Sequence, residues 1–272
     1  MIAAIAGLGI IVFDQYSKGT VGTHWSDGGI PSDTASIPLG DLPGWRQTGV
    51  QDFTQNAAAG KVDEVYGPDM RGYDGFPDSS GRGIYTPDAV LSVRNGKLDY
   101  FLHTDGVPRV ASTVPFGYNG QKYGRYSIRF RYDSLPGYKI AFMLWPVSDD
   151  WNDGEIDWPE GSLDGQLYGA SAIKGSFEDG AMKFDPSYRK YSSSGPGKWH
   201  VATTEWTPGK VRWFLDGKLV DETRKSSGVP TDPMRWTLQA ETSLQASTRF
   251  PARDVAGHIE IDWVVQYAYV EF

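Results

Sequence analysis

The chain has 272 residues and a formal charge of −8, with no basic run; a nucleic-acid binder needs a concentrated Lys/Arg patch to displace counterions, so that class is disfavoured. The absence of cysteine removes disulfides, thiolate nucleophiles and Cys-ligated zinc together. The 10 Trp, 15 Tyr and 12 Phe, with 33 Gly and 17 Pro, predict many short strands joined by turns, and aromatic faces that either stack on sugar rings or fill a core.

Met1–Phe13 (MIAAIAGLGIIVF) carries no charged side chain. As a helix it would span ~20 Å, short of the ~30 Å hydrocarbon core of a bilayer. It is similar to the apolar part of a signal peptide but lacks a basic start and a clear cleavage site. It therefore reads either as the remnant of an export signal or anchor, or as an ordinary buried segment. The first reading places the protein outside the cell, with this segment as a candidate membrane anchor. Residues 14–43 read as a Gly/Ser/Pro/Asp linker, and one domain is expected over 44–272, beginning near Trp45.

From about residue 84 the chain reads as strand after strand. Val90–Arg94, Asn95-Gly96 and Lys97–His103 form a hairpin signature, because Asn-Gly supplies the positive φ that a type I′ turn requires. Val211–Leu215, Asp216-Gly217 and Lys218–Val220 repeat the device. Tyr126–Tyr132 alternates apolar and polar residues, as a half-buried strand should, whereas Ile140–Trp145 is apolar almost throughout and belongs in mid-sheet. Further strands are expected within 166–173, 199–206, 234–242 and 258–269. No segment shows a helical period, and there is no internal repeat or second composition regime, so the economical fold is a single antiparallel β-sandwich.

One segment stands apart: Asn152-Asp153-Gly154-Glu155-Ile156-Asp157-Trp158-Pro159-Glu160-Gly161. On a strand, side chains alternate faces, so Glu155 and Asp157 share one face while Glu160 would point to the other. A one-residue bulge at Trp158-Pro159 returns Glu160 to the first face, and proline within a sheet is expected at bulges and edges. Three carboxylates on one face repel, which raises at least one pKa. That suits acid–base chemistry on glycosidic bonds, where one carboxylate is ionised and its partner protonated. The alternatives are a solvated acidic face, or a calcium loop drawn from Asp149, Asp150, Asn152 and Asp153, although these lack the EF-hand order. The four histidines are scattered without metal spacing, and no Gly-x-Ser-x-Gly elbow or phosphate loop is present.

Glu155-Ile156-Asp157-Trp158-Pro159-Glu160 resembles the Glu-x-Asp-x-x-Glu signature of glycoside hydrolase family 16 in its bulged form. Further matches follow in chain order: Gly44-Trp45 with Asp52-Phe53, Tyr123–Tyr126, Gly137–Lys139 with Ala141–Trp145, Trp199–Gly209 with Asp216-Gly217, and Ile261–Val264. The resemblance spans roughly 44–271 and implies a β-jelly-roll of two antiparallel sheets with a cleft on the concave face. It further implies an endo-acting, retaining hydrolase of β-linked polysaccharide, with β-1,3-(1,4-)glucan favoured and galactan cleavage or transglycosylation as the rivals. By the same resemblance Glu155 is the nucleophile, Glu160 the acid and then the base, and Asp157 the residue that holds Glu155. No cofactor is required by this chemistry.

Trp158-Pro159 replaces the aliphatic-Met pair common in the β-1,3-glucanases of the family, and Leu167–Ser171 lacks a histidine that many members carry. Both departures bear on substrate. Trp145 and Trp151 approach the motif and are candidate sugar platforms or core residues; Trp158 is expected in the core. Gln239, beside Glu241, matches a strand where the family places a polar sugar contact. Arg125 and His200 are candidate substrate contacts with structural roles as the alternative. Asp262 matches the position of a structural calcium, with a buried hydrogen-bonding role equally open. Beyond a polysaccharide no partner is implied, and a monomer is the default. A lectin-like module on the same fold is the rival from another class, disfavoured because all three carboxylates are present.

Overall fold

A computed structural model describes residues 36–243 and 250–271. The apolar run 1–13 and the linker up to residue 35 lie outside the described residues. Strands follow in chain order as β1 (Trp45–Gln51), β2 (Ile84–Tyr85), β3 (Leu91–Arg94), β4 (Lys97–Asp105), β5 (Val107–Thr113), β6 (Gly124–Tyr132), β7 (Tyr138–Pro146) and β8 (Ile156–Ser162). The rest are β9 (Tyr168–Ala172), β10 (Phe184–Asp185), β11 (His200–Thr207), β12 (Lys210–Leu215), β13 (Lys218–Thr223), β14 (Met234–Thr242) and β15 (Gly257–Tyr269). Among the described residues, helix is confined to short turns such as Val62–Tyr66 and Pro87–Val90.

Both expected hairpins form, with Asn95, Gly96, Asp216 and Gly217 all at positive φ, between 50° and 79°. A hydrogen-bonded path runs β10-β9-β8-β7-β14-β5-β4-β15-β6-β11-β12-β13. β4 turns its corner: Leu98–Leu102 pairs with β15, while His103–Asp105 pairs with β5. The path thereby folds into two facing layers, a β-jelly-roll sandwich. Phe130 of β6 meets Phe142 of β7 edge-on at 6.2 Å, and Tyr126 meets Trp236 of β14 at 5.4 Å. These contacts place the apolar face of each layer in a common core with Leu98, Leu144, Leu238 and Ile261.

The outer face of the β6–β11–β15 layer is also covered. Ile37, Leu42 and Trp45 pack on Val201, Trp263, Val265 and Tyr267. The last residues of the expected linker thus belong to the fold, because they bury an apolar patch that the alternation of β15 presents outward. This cover also corrects the expectation that β6 is half-buried. Its outward residues Arg125 and Ser127 are buried, Ser127 bonding Thr203 at 2.9 Å.

Candidate active site

The acidic segment runs into β8, which pairs with β7. Across the pair, Ala141 faces Glu160 and Met143 faces Asp157, so two steps on β7 oppose three on β8. The extra residue is the expected bulge at Trp158-Pro159, and the register with β9 slips at the same place. Trp158 turns into the core, its indole N–H donating to the Phe214 carbonyl at 3.1 Å. Glu155 sits just ahead of the first residue of β8. Its carbonyl accepts from the Ala172 N–H at 2.9 Å and the Ser171 hydroxyl at 3.0 Å, which pins the chain at the carboxylate. Gly154 precedes it at φ 115°, where a Cβ would lie 2.7 Å from Pro230.

Glu155, Asp157 and Glu160 line one cleft of about 650 Å³ on the outer face of the β7–β8–β14 layer. Glu155 and Asp157 are buried, at 6% and 1% exposure, and Glu160 is partly open. Burial pushes the Glu155 carboxyl up to about 7; hydrogen bonds from Asp157 and the Trp151 indole oppose the rise, and the Glu160 charge adds to it. Burial, then the charges of Glu155 and Glu160, holds Asp157 well above the usual carboxylate range. Asp157 is therefore the member of the pair that keeps a proton and donates it to Glu155. Asp157 Oδ1 is buried without a hydrogen-bond partner among the described residues.

A second set of polar groups faces the same cleft. The Lys139 ammonium lies 3.1 Å from Glu241 and 3.5 Å from Glu160. Burial works against that ammonium, but the charges of Glu241 and Glu160 outweigh it and raise its pKa. Glu241 also accepts from the Tyr85 hydroxyl, from Ser79 Oγ at 2.8 Å and from Gln239 Nε2 at 3.4 Å. Burial, and then the Glu160 charge, raises the Tyr168 hydroxyl, which remains a neutral donor toward Glu160. The Arg189 guanidinium stacks on the Tyr168 ring at 4.2 Å.

Of the residues singled out by sequence, Trp145, Trp151 and Gln239 line this cleft. Trp145 and Trp151 stand 6.2 Å apart, and Trp145 donates to Asp149 at 3.0 Å. Arg125 and His200 do not reach the cleft. Arg125 faces outward from the opposite layer, where it pairs with Glu205. His200 bonds Asp216 at 2.7 Å and accepts from Gly195, closing the end of the β11–β12 hairpin. Both are structural because β6 and β11 lie in the layer away from the cleft. Asp262 is engaged by Arg129 at 2.6 Å, and a guanidinium beside it does not fit a calcium site. The Asp149–Asp153 run is likewise committed elsewhere: Asp149 to Arg235, Asp150 to the Asn152 N–H at 2.9 Å, and Asp153 to Ser148 at 2.7 Å. Among the described residues, no group of three or more His, Asp or Glu could hold a metal ion.

Sequence reasoning missed the roles of Lys139, Tyr85, Tyr168 and Arg189 in the cleft. Lys139 carried a signal, being a cation in the strand facing the carboxylates. Tyr85 reaches the cleft through a contact 156 residues long in sequence, which no local pattern marks.

The model of Glycosyl hydrolases family 16 matches residues 85–265. A beta-glucanase of Fibrobacter succinogenes is 26% identical over 158 residues, covering 54% of this chain and 44% of that protein, so the chain spans less than half the length of this relative. Among solved structures, the laminarinase of Rhodothermus marinus superposes with a TM-score of 0.66 at 19% identity, over 84% of this chain and 98% of that one. The kappa-carrageenase zobellia_236 of Zobellia galactanivorans gives 0.62 at 15% identity, over 88% and 99%. These two likenesses are of fold.

Proposed function

The chain belongs to glycosyl hydrolases family 16, and from that premise we propose that it is a retaining endo-glycosidase that cuts internal β-linkages of a polysaccharide through Glu155 and Glu160. The observation that carries the reading is the one-residue bulge of β8, which turns three carboxylates of a single short segment into one cleft.

In this mechanism ionised Glu155 attacks the anomeric carbon while Glu160 gives its proton to the departing glycosidic oxygen. A bond forms from carbon to the Glu155 oxygen as the bond to the leaving sugar breaks. Glu160, now a carboxylate, takes a proton from water, and the water oxygen displaces Glu155 with a second inversion. Asp157 donates a hydrogen bond to Glu155 and, with the Trp151 indole N–H, favours its ionised form against burial. Trp145 and Trp151 supply apolar faces for sugar rings, and Gln239 a polar contact. No step calls for a metal or organic cofactor.

A β-1,3- or mixed-linkage β-1,3-1,4-glucan is the first substrate, supported by the beta-glucanase and laminarinase similarities. A galactan is the second, supported by the kappa-carrageenase likeness. Either polymer is too large to cross a membrane, so the reading places the enzyme outside the cell. No helix among the described residues is long and apolar enough to cross a membrane.

The test is product formation from laminarin, mixed-linkage glucan, agar, carrageenan and xyloglucan beside Glu155→Gln, with NMR of the first anomer released. New β-configured reducing ends on one polymer, absent with the variant, are expected. An α-configured first product would overturn the double displacement. Binding without cleavage of any polymer would favour the lectin-like alternative, and label transfer to an added acceptor sugar would reveal transglycosylation.

A further inference from the structure

Next to the catalytic cleft, and sharing Ala170, Phe184 and Arg189 with it, lies a groove of about 700 Å³ lined in part by β10. Its wall carries three cations, Lys183, Arg189 and Lys225, against one carboxylate, Asp185. That carboxylate is committed to the Thr223 hydroxyl. None of the three cations forms a salt bridge with a described residue, whereas their neighbours Lys174 and Lys190 are paired with Asp232 at 2.6 Å and Asp221 at 2.9 Å. Two tyrosines, Tyr188 at 88% exposure and Tyr191 at 52%, stand in the same wall.

The arrangement opposes the charge of the whole molecule. At −8 net, with 34 Asp and Glu against 26 Lys and Arg, carboxylates are in excess over cations. Here, among the described residues, the pairing with carboxylates is absent on the side of the groove and present just outside it. Arg189 also joins the two spaces physically, because it lines both and stacks on Tyr168, which lines the cleft beside Glu160. A sugar bound in the groove would therefore be continuous with the chain being cut. Exposed tyrosine rings offer apolar faces for sugar rings, while lysine and arginine offer point charge and a planar fork to an oxyanion.

We propose that this groove is an annex of the cleft that binds an anionic group, a sulfate ester or a carboxylate, carried by the polysaccharide. The proposal rests on the glycosidase reading for its location and on the Lys183–Arg189–Lys225 wall for its chemistry. It refines that reading: of two polymers with the same backbone, the one that carries an anionic group within reach of Lys183, Arg189 and Lys225 is bound more tightly.

The experiment measures binding to Glu155→Gln, which holds substrate without turning it over. The probes are laminari-oligosaccharides unmodified, sulfated, or oxidised to the carboxylate at C6, with a sulfated kappa-carrageenan oligosaccharide as a fourth. At low salt at least tenfold tighter binding of one or more anionic probes is expected, falling toward the neutral value at 0.5 M NaCl. The sulfated and oxidised arms tell the two oxyanions apart. Lys183→Ala/Lys225→Ala should remove most of the preference and leave affinity for the neutral oligosaccharide within about twofold. Equal binding of all probes, or a preference that survives in the double variant and in Lys183→Glu/Lys225→Glu, overturns the annex. The two readings fail separately: selective binding without any cleavage by the wild type would sink the hydrolase and leave the annex standing, while cleavage without charge preference would do the reverse.

Discussion

The Lys139 ammonium stands 3.5 Å from the Glu160 carboxylate on the adjacent strand, and only 3.1 Å from Glu241, which is 1% exposed. A buried carboxylate with a single cationic partner depends on that partner, since removing one member leaves an uncompensated charge at a cost of about 3–5 kcal/mol. Lys139→Met should therefore lower unfolding stability by about 3 kcal/mol in a urea titration. Adding Glu241→Gln should recover most of the loss, because the charge that needed compensation is then gone. Additive losses would mean that the pair is not coupled. The Lys139 pKa is raised above its usual value, so this contribution is intact below the ordinary lysine range and disappears as pH climbs through the raised folded value.

Asp157 and Glu155 make a different prediction, in pH. Burial raises both, Glu155 to about 7, and the Asp157 hydrogen bond works to lower Glu155. Groups whose folded pKa exceeds the unfolded value stabilise the protein below the unfolded pKa and lose that contribution as pH rises through the folded one. Stability should thus fall between about pH 5 and 8, more steeply in wild type than in Asp157→Asn. In activity, kcat/KM should drop on the acid side of about 7, where Glu155 takes up a proton. Asp157→Ala removes the hydrogen bond and should move that limb to higher pH; Asp157→Asn keeps a donor and should move it less. A limb that ignores both substitutions would detach Asp157 from Glu155.

The roles of the two glutamates are separable with small nucleophiles. Removing a general acid costs typically 10²–10⁴ in rate, less when the leaving group needs no proton. Glu160→Ala should lose at least about 10² on a polysaccharide but little of the first step on an activated aryl glycoside, with azide trapping a β-glycosyl product. Glu155→Ala with azide should give the α-product. Exchange of these two outcomes would reverse the assignment.

Trp145 and Arg125 test which face of the sandwich binds. Trp145→Ala should raise KM about tenfold, equivalent to about 1.4 kcal/mol, with a smaller effect on kcat. Arg125→Met should leave KM unchanged and cost about 1.5 kcal/mol of stability, because Glu205 loses one charge-assisted hydrogen bond and keeps Arg212 at 2.5 Å. A rise in KM for Arg125→Met without loss of stability would contradict its place in the opposite layer.

Much of this protein is written in local spacing. Asn95-Gly96 and Asp216-Gly217 specify their hairpins because positive φ at two successive positions is a property of those residues themselves. The bulge at Trp158-Pro159 was legible for the same reason: strand alternation counts faces, and proline between two acidic positions marks where the count slips. The shared face of the carboxylate trio and the core position of Trp158 both follow from alternation within a few residues.

Alternation tells which residues share a face, but not which face meets solvent, core or substrate. That choice belongs to the packing of layers, and it separates Trp145 and Gln239, on the cleft face of β7 and β14, from Arg125 and His200 in the opposite layer. The same holds for contacts between distant segments. Tyr85 meets Glu241, and Arg189 meets Tyr168, only after β2, β9 and β14 have been brought to one cleft. Sequence alone placed Glu155, Asp157 and Glu160 on one face, because that geometry is a matter of one strand and one bulge. The polar and cationic groups around that trio come from several strands and loops, and only the folding of the sheet onto itself decided which of them would gather there.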